Sequence, residues 1–372
     1  MNFFDHINLG RIWCSTYWAE RKRWQPCLLN GHQQPRIYFG YESIPSSDAH
    51  VFGGMVKLQD LKEAFPNQKE QPNILYLVSS ALPYFPIRMA YFAKEAGARL
   101  IINQNGVAYP GWYGKGWEKA NASMKKLLSL ADYVFYQSEF CKKSADKFLG
   151  KTETEQHEIL YNPVDTSFFR PASGQRLRKA PIIMLLAGSH WSPYRVRVAL
   201  ETLEKIRRKN DRVCLQISGR FCWLKNEQDA RDDILKYARE LQVSDYVTIS
   251  GPYTQQQAPE LLNRCSILLH TKYNDPCPRL VVEAMACGLP VVFSATGGVP
   301  ELVGDDAGVG VPGSVDWEKD HPPDSTFLAK AVEQVLANQD RYAWAARLRA
   351  VEKFDTGFWL DRHTEIFQQV LM

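Results

Sequence analysis

Two acids, separated by seven intervening residues, bracket the start of an apolar helical run in the stretch NDPCPRLVVEAMACGLPVV (274–292). Asp275 lies in a proline-bracketed loop, and Glu283 lies within RLVVEAMAC (279–287). About one turn into a helix, a carboxylate gains roughly 0.3–1 kcal/mol from the macrodipole, and that dipole term is the plainest reading of Glu283. Its neighbours Leu280, Val281, Val282, Ala284, Met285 and Ala286 imply burial, however, and a buried ionised carboxylate needs hydrogen-bond donors. A vicinal diol supplies two hydroxyls at a spacing that one carboxylate spans. Asp275 can reach a second polyol. Between the two acids, the backbone N–H groups of Arg279 and Leu280 and the Arg279 side chain face outward from a helix start, as an anion requires. The complement of acid, phosphate-binding helix start and acid is a polyol joined through phosphate to a ribose. A purely structural helix remains the other reading of the same residues.

The elements that must position these groups alternate along the chain. Strands are expected at 36–40, 73–80, 99–105, 133–138 and 158–161, with helices at 53–65, 86–97, 117–131 and 139–150. The stretch RPASGQRLRKAP (170–181) then reads as a linker. A second series follows: strands at 182–189, 213–219, 247–252, 266–271 and 289–294, and helices at 198–209, 230–242, 256–265, 279–287, 327–338 and 340–354. The final run 356–371 carries Phe358, Trp359, Ile366, Phe367 and Val370 at helical spacing. This is an α/β chain of two Rossmann-like domains facing across a cleft, with ligands expected at the carboxyl ends of the strands.

A chain of 372 residues has room for two cored domains. The net charge of +4 comes without any polybasic tract, so nucleic acid is not an expected partner. Eight cysteines show neither CxxC nor zinc spacing, which argues against a metal site or a disulfide framework and for a reducing, cytoplasmic location. No signal-peptide pattern opens the chain and no apolar run is long enough for a bilayer. YWAERKRWQP (17–26) interleaves aromatic and basic residues, as do segments that lie peripherally at the inner face of a membrane and surface helices docked on their own domain.

Asp275-x7-Glu283, followed by AMACGLPVV and GGVPELV (297–303), resembles the E-x7-E core of the glycosyl transferases group 1, the family 4 retaining GT-B enzymes. YNPVDTSFFRP (161–171) is similar to that family's interdomain segment, and Gly53–Gly54 to its N-terminal glycine loop. The resemblance implies a GT-B fold: an N-terminal acceptor domain over 1–172, a nucleotide-sugar domain over 173–355, and a C-terminal helix (356–372) that returns to the first. It implies transfer of a sugar from a UDP- or GDP-linked donor to a carbohydrate or lipid-linked acceptor, with retention and without a metal or other cofactor. Glu283 would hold the ribose and Asp275 the donor sugar. A basic side chain in AGSHWSPYRVRVAL (187–200) would meet the diphosphate, Arg197 first and Arg195 second, with Gly188, Ser192, Gly219, Arg220, Arg279 and Leu280 completing the donor side. Gly53, Gly54 and Asn105 would face the acceptor.

Three positions depart from the family pattern: Asp275 for Glu, Pro278 for Gly, and Asn105 for His. Asn cannot act as a general base near pH 7; in the mechanism proposed for the family the departing phosphate takes the acceptor proton. His190 and His270 stand near strand ends, as ligand contacts or satisfied structural histidines. Trp112 and Tyr113 sit in a glycine-rich loop that could cover an acceptor sugar or simply pack. Cys277 and Cys287 have no partner base in view. The rivals are a catalytically silent nucleotide-sugar-binding subunit, a nucleotide-sugar epimerase and a sugar phosphorylase. A dehydrogenase is disfavoured because GYESIPSSDAHVFGG (40–54) lacks G-x-G-x-x-G.

Overall fold

The computed structural model describes residues 17–24, 26, 34–46, 49, 51, 53–152, 154–172 and 181–372. Most of the expected linker, 173–180, and the N-terminal residues up to 16 lie outside the described residues. Two compact units divide the chain: Met1–Tyr109, Tyr113–Leu160 and Trp359–Met372 form the first, and Pro110–Trp112 with Tyr161–Phe358 the second.

In the first unit a helical stretch at 17–23 (α1) precedes β1 (Ile37–Tyr38), α2 (Gly53–Ala64), β2 (Ile74–Val78), α3 (Pro86–Glu95) and β3 (Arg99–Gln104). Then come α4 (Pro110–Tyr113), whose first three residues group with the second unit, α5 (Trp117–Leu130), β4 (Tyr133–Tyr136), α6 (Glu139–Phe148) and β5 (His157–Ile159). All pairings are parallel, in the order β1-β2-β3-β4-β5. Strands of parallel sheets are covered on both faces, and accordingly every residue of ILYLV in β2 and YVFY in β4 is buried. Ser138 caps α6 by accepting the Cys141 N–H at 3.0 Å.

The second unit holds β6 (Ile182–His190), α7 (Tyr194–Arg207), β7 (Val213–Phe221), α8 (Glu227–Glu240), β8 (Val247–Ser250), α9 (Ala258–Arg264) and β9 (Ile267–His270). These are followed by α10 (Arg279–Ala286), β10 (Val291–Ala295), α11 (Val299–Val303), β11 (Gly308–Pro312), α12 (Ser325–Ala337) and α13 (Gln339–Lys353). Its parallel sheet runs β11-β10-β9-β6-β7-β8. The order reverses between β6 and β9, the mark of a doubly wound sheet; among the described residues the first unit has no such reversal.

Three details differ from the sequence expectation. α7 begins at Tyr194 rather than 198, because Pro193 (φ −62°) pre-forms the entry turn and lets the helix start earlier. β11 was not foreseen: GVGVP has two glycines, which weaken a strand pattern, yet a Cβ on Gly308 would lie 2.0 Å from the Val291 carbonyl oxygen of β10. The division falls at 160/161 instead of 172 because residues 161–172 are tied into the second unit. Asn162 Nδ2 donates to Cys277 O at 2.6 Å, Arg347 donates to Phe169 O and Thr166 O at 2.9 and 3.0 Å, and the Ala172 N–H reaches Asn263 Oδ1 at 2.8 Å.

From Trp359 onward the last helix, α14 (Thr356–Gln369), packs in the first unit, where Trp359, Ile366 and Phe367 share a core with Tyr76 and Phe135. Among them lies a fully buried histidine. His363 Nδ1 donates to Trp359 O at 2.8 Å, so Nε2 is the acceptor for the Tyr76 hydroxyl at 2.9 Å. Burial pushes His363 down to about 3, so it is neutral at pH 7. No helix among the described residues is long and apolar enough to cross a membrane.

Candidate active site

The strand order reverses between β6 and β9, and the carboxyl ends of the strands at such a reversal are where a doubly wound sheet binds its ligand. β6 ends on Gly188, Ser189 and His190 and leads into α7; β9 ends on His270 and leads through Lys272 and Asn274 to Asp275. Gly188 and Gly219 face each other in the β6–β7 register at φ +105° and +117°. A Cβ on Gly219 would stand 2.0 Å from the Gly188 carbonyl oxygen, so the close approach of these strand ends excludes any side chain at 219.

Asp275 is buried, with Lys272 Nζ 3.1 Å from Oδ1 and His270 Nε2 3.1 Å from Oδ2. Burial alone would raise the Asp275 carboxyl, but the charges of Lys272 and Arg195 outweigh it and hold the group ionised. Burial likewise dominates His270, which falls to about 4 despite the adjacent acid, leaving a neutral imidazole beside a carboxylate. Arg195 is 6% exposed; its Nη1 donates to Ser189 O at 2.6 Å and its backbone oxygen accepts from Thr271 Oγ1 at 2.8 Å.

The loop that carries Asp275 is braced from the β10–α11 connection. The Asn274 N–H reaches Thr296 Oγ1 at 2.9 Å, and the Gly298 N–H reaches Asp275 O at 2.8 Å. Gly297, at φ +73°, passes so close that a Cβ there would meet Asp275 O at 2.5 Å and Asn274 C at 2.7 Å. This accounts for the glycine pair in GGVPELV.

Around this loop several buried polar atoms have no hydrogen-bond partner: Arg195 Nε, His190 Nδ1, Asn274 Oδ1 and Asp320 Oδ1. A folded protein rarely leaves such atoms unsatisfied, and their concentration at these strand ends is the mark of a site that a polar ligand completes.

The sequence-selected residues fall into distinct positions. Arg195 and Arg197 both lie in the first turn of α7, and residues two apart on a helix point to different faces. Arg195 therefore faces Asp275, while Arg197 turns to α8 and pairs with Asp233 Oδ2 at 2.9 Å, partly exposed. Of the two, Arg195 is thus the buried one and Arg197 the partly exposed one. Ser192 contributes its carbonyl to the Arg195 N–H at 3.3 Å, and Arg220 is exposed on β7.

Glu283 is buried, and its Oε1 accepts from Arg279 Nε at 3.0 Å and from Gln255 Nε2 at 3.2 Å. The Arg279 side chain thus turns back along α10 to Glu283 rather than outward to an anion. Leu280 stays half-exposed in the first turn, and the N-cap residue Pro278 offers no side-chain cap. His190 is buried and stacked on Phe221. Cys277 and Cys287 are buried, and burial pushes the Cys287 thiol up to about 12, which leaves it unreactive.

In the first unit, Gly54 and Asn105 meet the same loop after β2. A Cβ on Gly54 would lie 2.5 Å from Ser80 Oγ, whereas Gly53 has open space, and the Asn105 N–H donates to Ser79 Oγ at 2.9 Å. The Asn105 side-chain oxygen accepts the Gly106 N–H at 2.8 Å. Beneath them Lys57 Nζ and Gln137 Nε2 reach Asn103 Oδ1 at 3.3 and 2.7 Å. Sequence reading passed over Lys272, Asn274, Asp320, Gln255 and Lys57. Of these only Lys272 carried a signal, a cation three residues before Asp275; Asn274 stands beside Asp275 without one, Lys57 lies on α2, and Asp320 and Gln255 come from distant loops.

Residues 172–349 match the family model described as Glycosyl transferases group 1. A D-inositol 3-phosphate glycosyltransferase from Streptomyces bingchenggensis is 26% identical over 196 residues, 46% of this chain and 42% of the relative. The chain therefore spans less than half the length of that relative. A glycogen synthase of Mycobacterium tuberculosis is 27% identical over 300 residues, covering 79% of this chain and 68% of the relative. Among solved structures, Anabaena Alr3699/HepE in complex with UDP superposes with a TM-score of 0.68 at 16% identity, over 90% of this chain and 100% of that one. That likeness establishes the two-domain GT-B fold of paired Rossmann-like units.

Proposed function

We propose that this protein, whose residues 172–349 match the glycosyl transferases group 1 model, is a retaining, family 4-type glycosyltransferase that moves a sugar from a nucleotide-sugar donor to a carbohydrate or lipid-linked acceptor. The observation that carries the reading is the convergence of Arg195, Lys272, neutral His270 and ionised Asp275 at the β6–β9 strand ends, where buried polar atoms await partners. Arg195 and Lys272 are the cations that offset charge on a departing nucleoside diphosphate, together with the backbone N–H groups at the start of α10. On this reading no metal ion is needed, and a UDP or GDP moiety is the expected donor half.

In the proposed step the bond from the sugar's anomeric carbon to the phosphate oxygen breaks, and the acceptor oxygen bonds the same carbon on the same face. The acceptor proton passes to the departing phosphate oxygen. The protein's part is to orient the groups and stabilise charge. Asp275, on its braced loop, would accept from donor-sugar hydroxyls. Glu283, aligned by Arg279 and Gln255, would accept from the ribose diol. Gly54 and Asn105 mark the acceptor side, and the protein would work in the cytoplasm, free or peripheral at the membrane's inner face.

The test is release of nucleoside diphosphate from a panel of UDP-, GDP- and ADP-sugars, with and without candidate acceptors, by the intact protein and by Glu283→Ala. Release from one donor, lost in the variant, supports the reading. Absence of any nucleotide binding refutes it, and tight binding without release under any acceptor assigns the chain to a silent binding subunit.

A further inference from the structure

Between β11 and α12, residues 313–324 form a loop laid against the segment that carries Asp275. The Tyr273 hydroxyl donates to Ser314 O at 2.6 Å and accepts the Asp316 N–H at 2.6 Å, and Asn274 Nδ2 donates to Asp316 O at 3.2 Å. His321 closes on Asp316 Oδ2 at 2.7 Å. Asp320 follows in the same loop, next to His321.

One oxygen of Asp320, Oδ1, is buried and unsatisfied. The Tyr194 hydroxyl accepts the Tyr273 N–H at 3.0 Å and helps stabilise the charge of the Asp320 carboxyl. Asn274 Oδ1 on the facing segment is likewise buried without a partner. Asn274 is 3% exposed, and its amide nitrogen is already committed to Asp316 O, so the oxygen that remains can only accept. The Lys272 charge lowers both the Asp320 and the Asp275 carboxyl, and both acids push the Tyr194 hydroxyl up. An acceptor pair without donors, next to the acid assigned to the donor sugar, calls for a ligand group rich in O–H bonds.

We propose that Asp320 is a specificity-determining residue of the donor site, its Oδ1 accepting a hydrogen bond from a hydroxyl of the transferred sugar, with Asn274 Oδ1 as the second acceptor. This rests on the glycosyltransferase reading and goes further by naming the residue that selects the sugar. The 313–324 loop, rather than the two-acid segment alone, then sets which hydroxyl pattern fits.

The experiment measures dissociation constants by calorimetry for UDP-glucose, GDP-mannose and ADP-glucose and for free UDP, GDP and ADP. Wild type is compared with Asp320→Asn and Asp320→Ala, with melting temperature as the check on folding. Asn removes the carboxylate charge and one of its two acceptor oxygens and keeps the side-chain volume. The expected result is a loss of about tenfold in affinity for the preferred nucleotide sugar in both variants, as one lost hydrogen bond in a dry site gives, with the matching free diphosphate unchanged. Equal losses for sugar and free diphosphate make Asp320 a loop-shaping residue and overturn the proposal, as do unchanged affinities throughout. Failure of wild type to bind any nucleotide or nucleotide sugar overturns the functional reading itself and this proposal with it. That failure is visible before any variant is made.

Discussion

His363 gives a prediction whose size follows from its surroundings. The ring is fully buried in the first unit, donates through Nδ1 to Trp359 O and accepts from Tyr76, and burial depresses it from 6.5 to about 3. The unfolded chain therefore binds a proton below pH 6.5 that the folded chain refuses until about pH 3. Stability is fully present above 6.5 and is lost as pH falls through that window. Between pH 7 and pH 5 the difference in proton uptake removes about 2 kcal/mol from the first unit. The perturbation is His363→Gln, which has no titration in this range and retains an oxygen able to accept from Tyr76. Because two units need not unfold together, the assay is hydrogen–deuterium exchange of peptides covering β2 and β3, corrected for the intrinsic pH dependence of exchange. Wild type should lose about 2 kcal/mol of protection between pH 7 and pH 5, and the variant should lack that component. Equal acid sensitivity of the two proteins would refute the assignment of a neutral, proton-refusing His363.

Further outcomes follow from the geometry of single residues. Arg195→Ala should cut nucleoside diphosphate release by about a hundredfold or more, since a buried cation facing Asp275 is lost. Arg197→Ala should leave turnover within about twofold and stability within about 0.5 kcal/mol, because its pair with Asp233 is partly exposed; steady-state kinetics and urea unfolding compare them. Gly297→Ala forces a Cβ to 2.5 Å from Asp275 O at φ +73°, so it should cost about 2 kcal/mol or more and lower activity together, seen by urea unfolding and donor turnover. Gly54→Ala should destabilise the first unit through Ser80, while Gly53→Ala, with open space at the helix start, should be neutral or stabilising by about 0.5 kcal/mol in thermal melts.

The periodicity of short apolar runs made most of both sheets legible, because parallel strands buried on both faces leave a strong local pattern, as ILYLV and SILLHT show. β11 escaped because its pairing depends on glycines that fit against β10, a tertiary reason with no local trace. The two acids were legible for a similar reason: a carboxylate inside an apolar run stands out. What donors Glu283 would find was not, since Gln255 arrives from the β8–α9 connection. Which of Arg195 and Arg197 is buried turned on where α7 begins, and shifting a helix start by four residues moves a side chain from loop to helix face. Asn274 and Asp320 gave no signal, because an unsatisfied oxygen is a property of packing and not of residue type.

The strand order of the second unit also bears on how the chain is made. In the first unit each strand pairs beside the one before it, so the growing sheet never waits for a distant partner. In the second, β6, β7 and β8 are complete by Ser250, but the other side of β6 stays open until Ile267–His270 has been synthesised. At translation speeds of about 5–20 residues per second, that bare hydrophobic edge persists for a second or more. The pairing at the ligand-binding strand ends thus forms well after its neighbours β7 and β8, and until then it leaves the nascent chain with an open edge prone to aggregation.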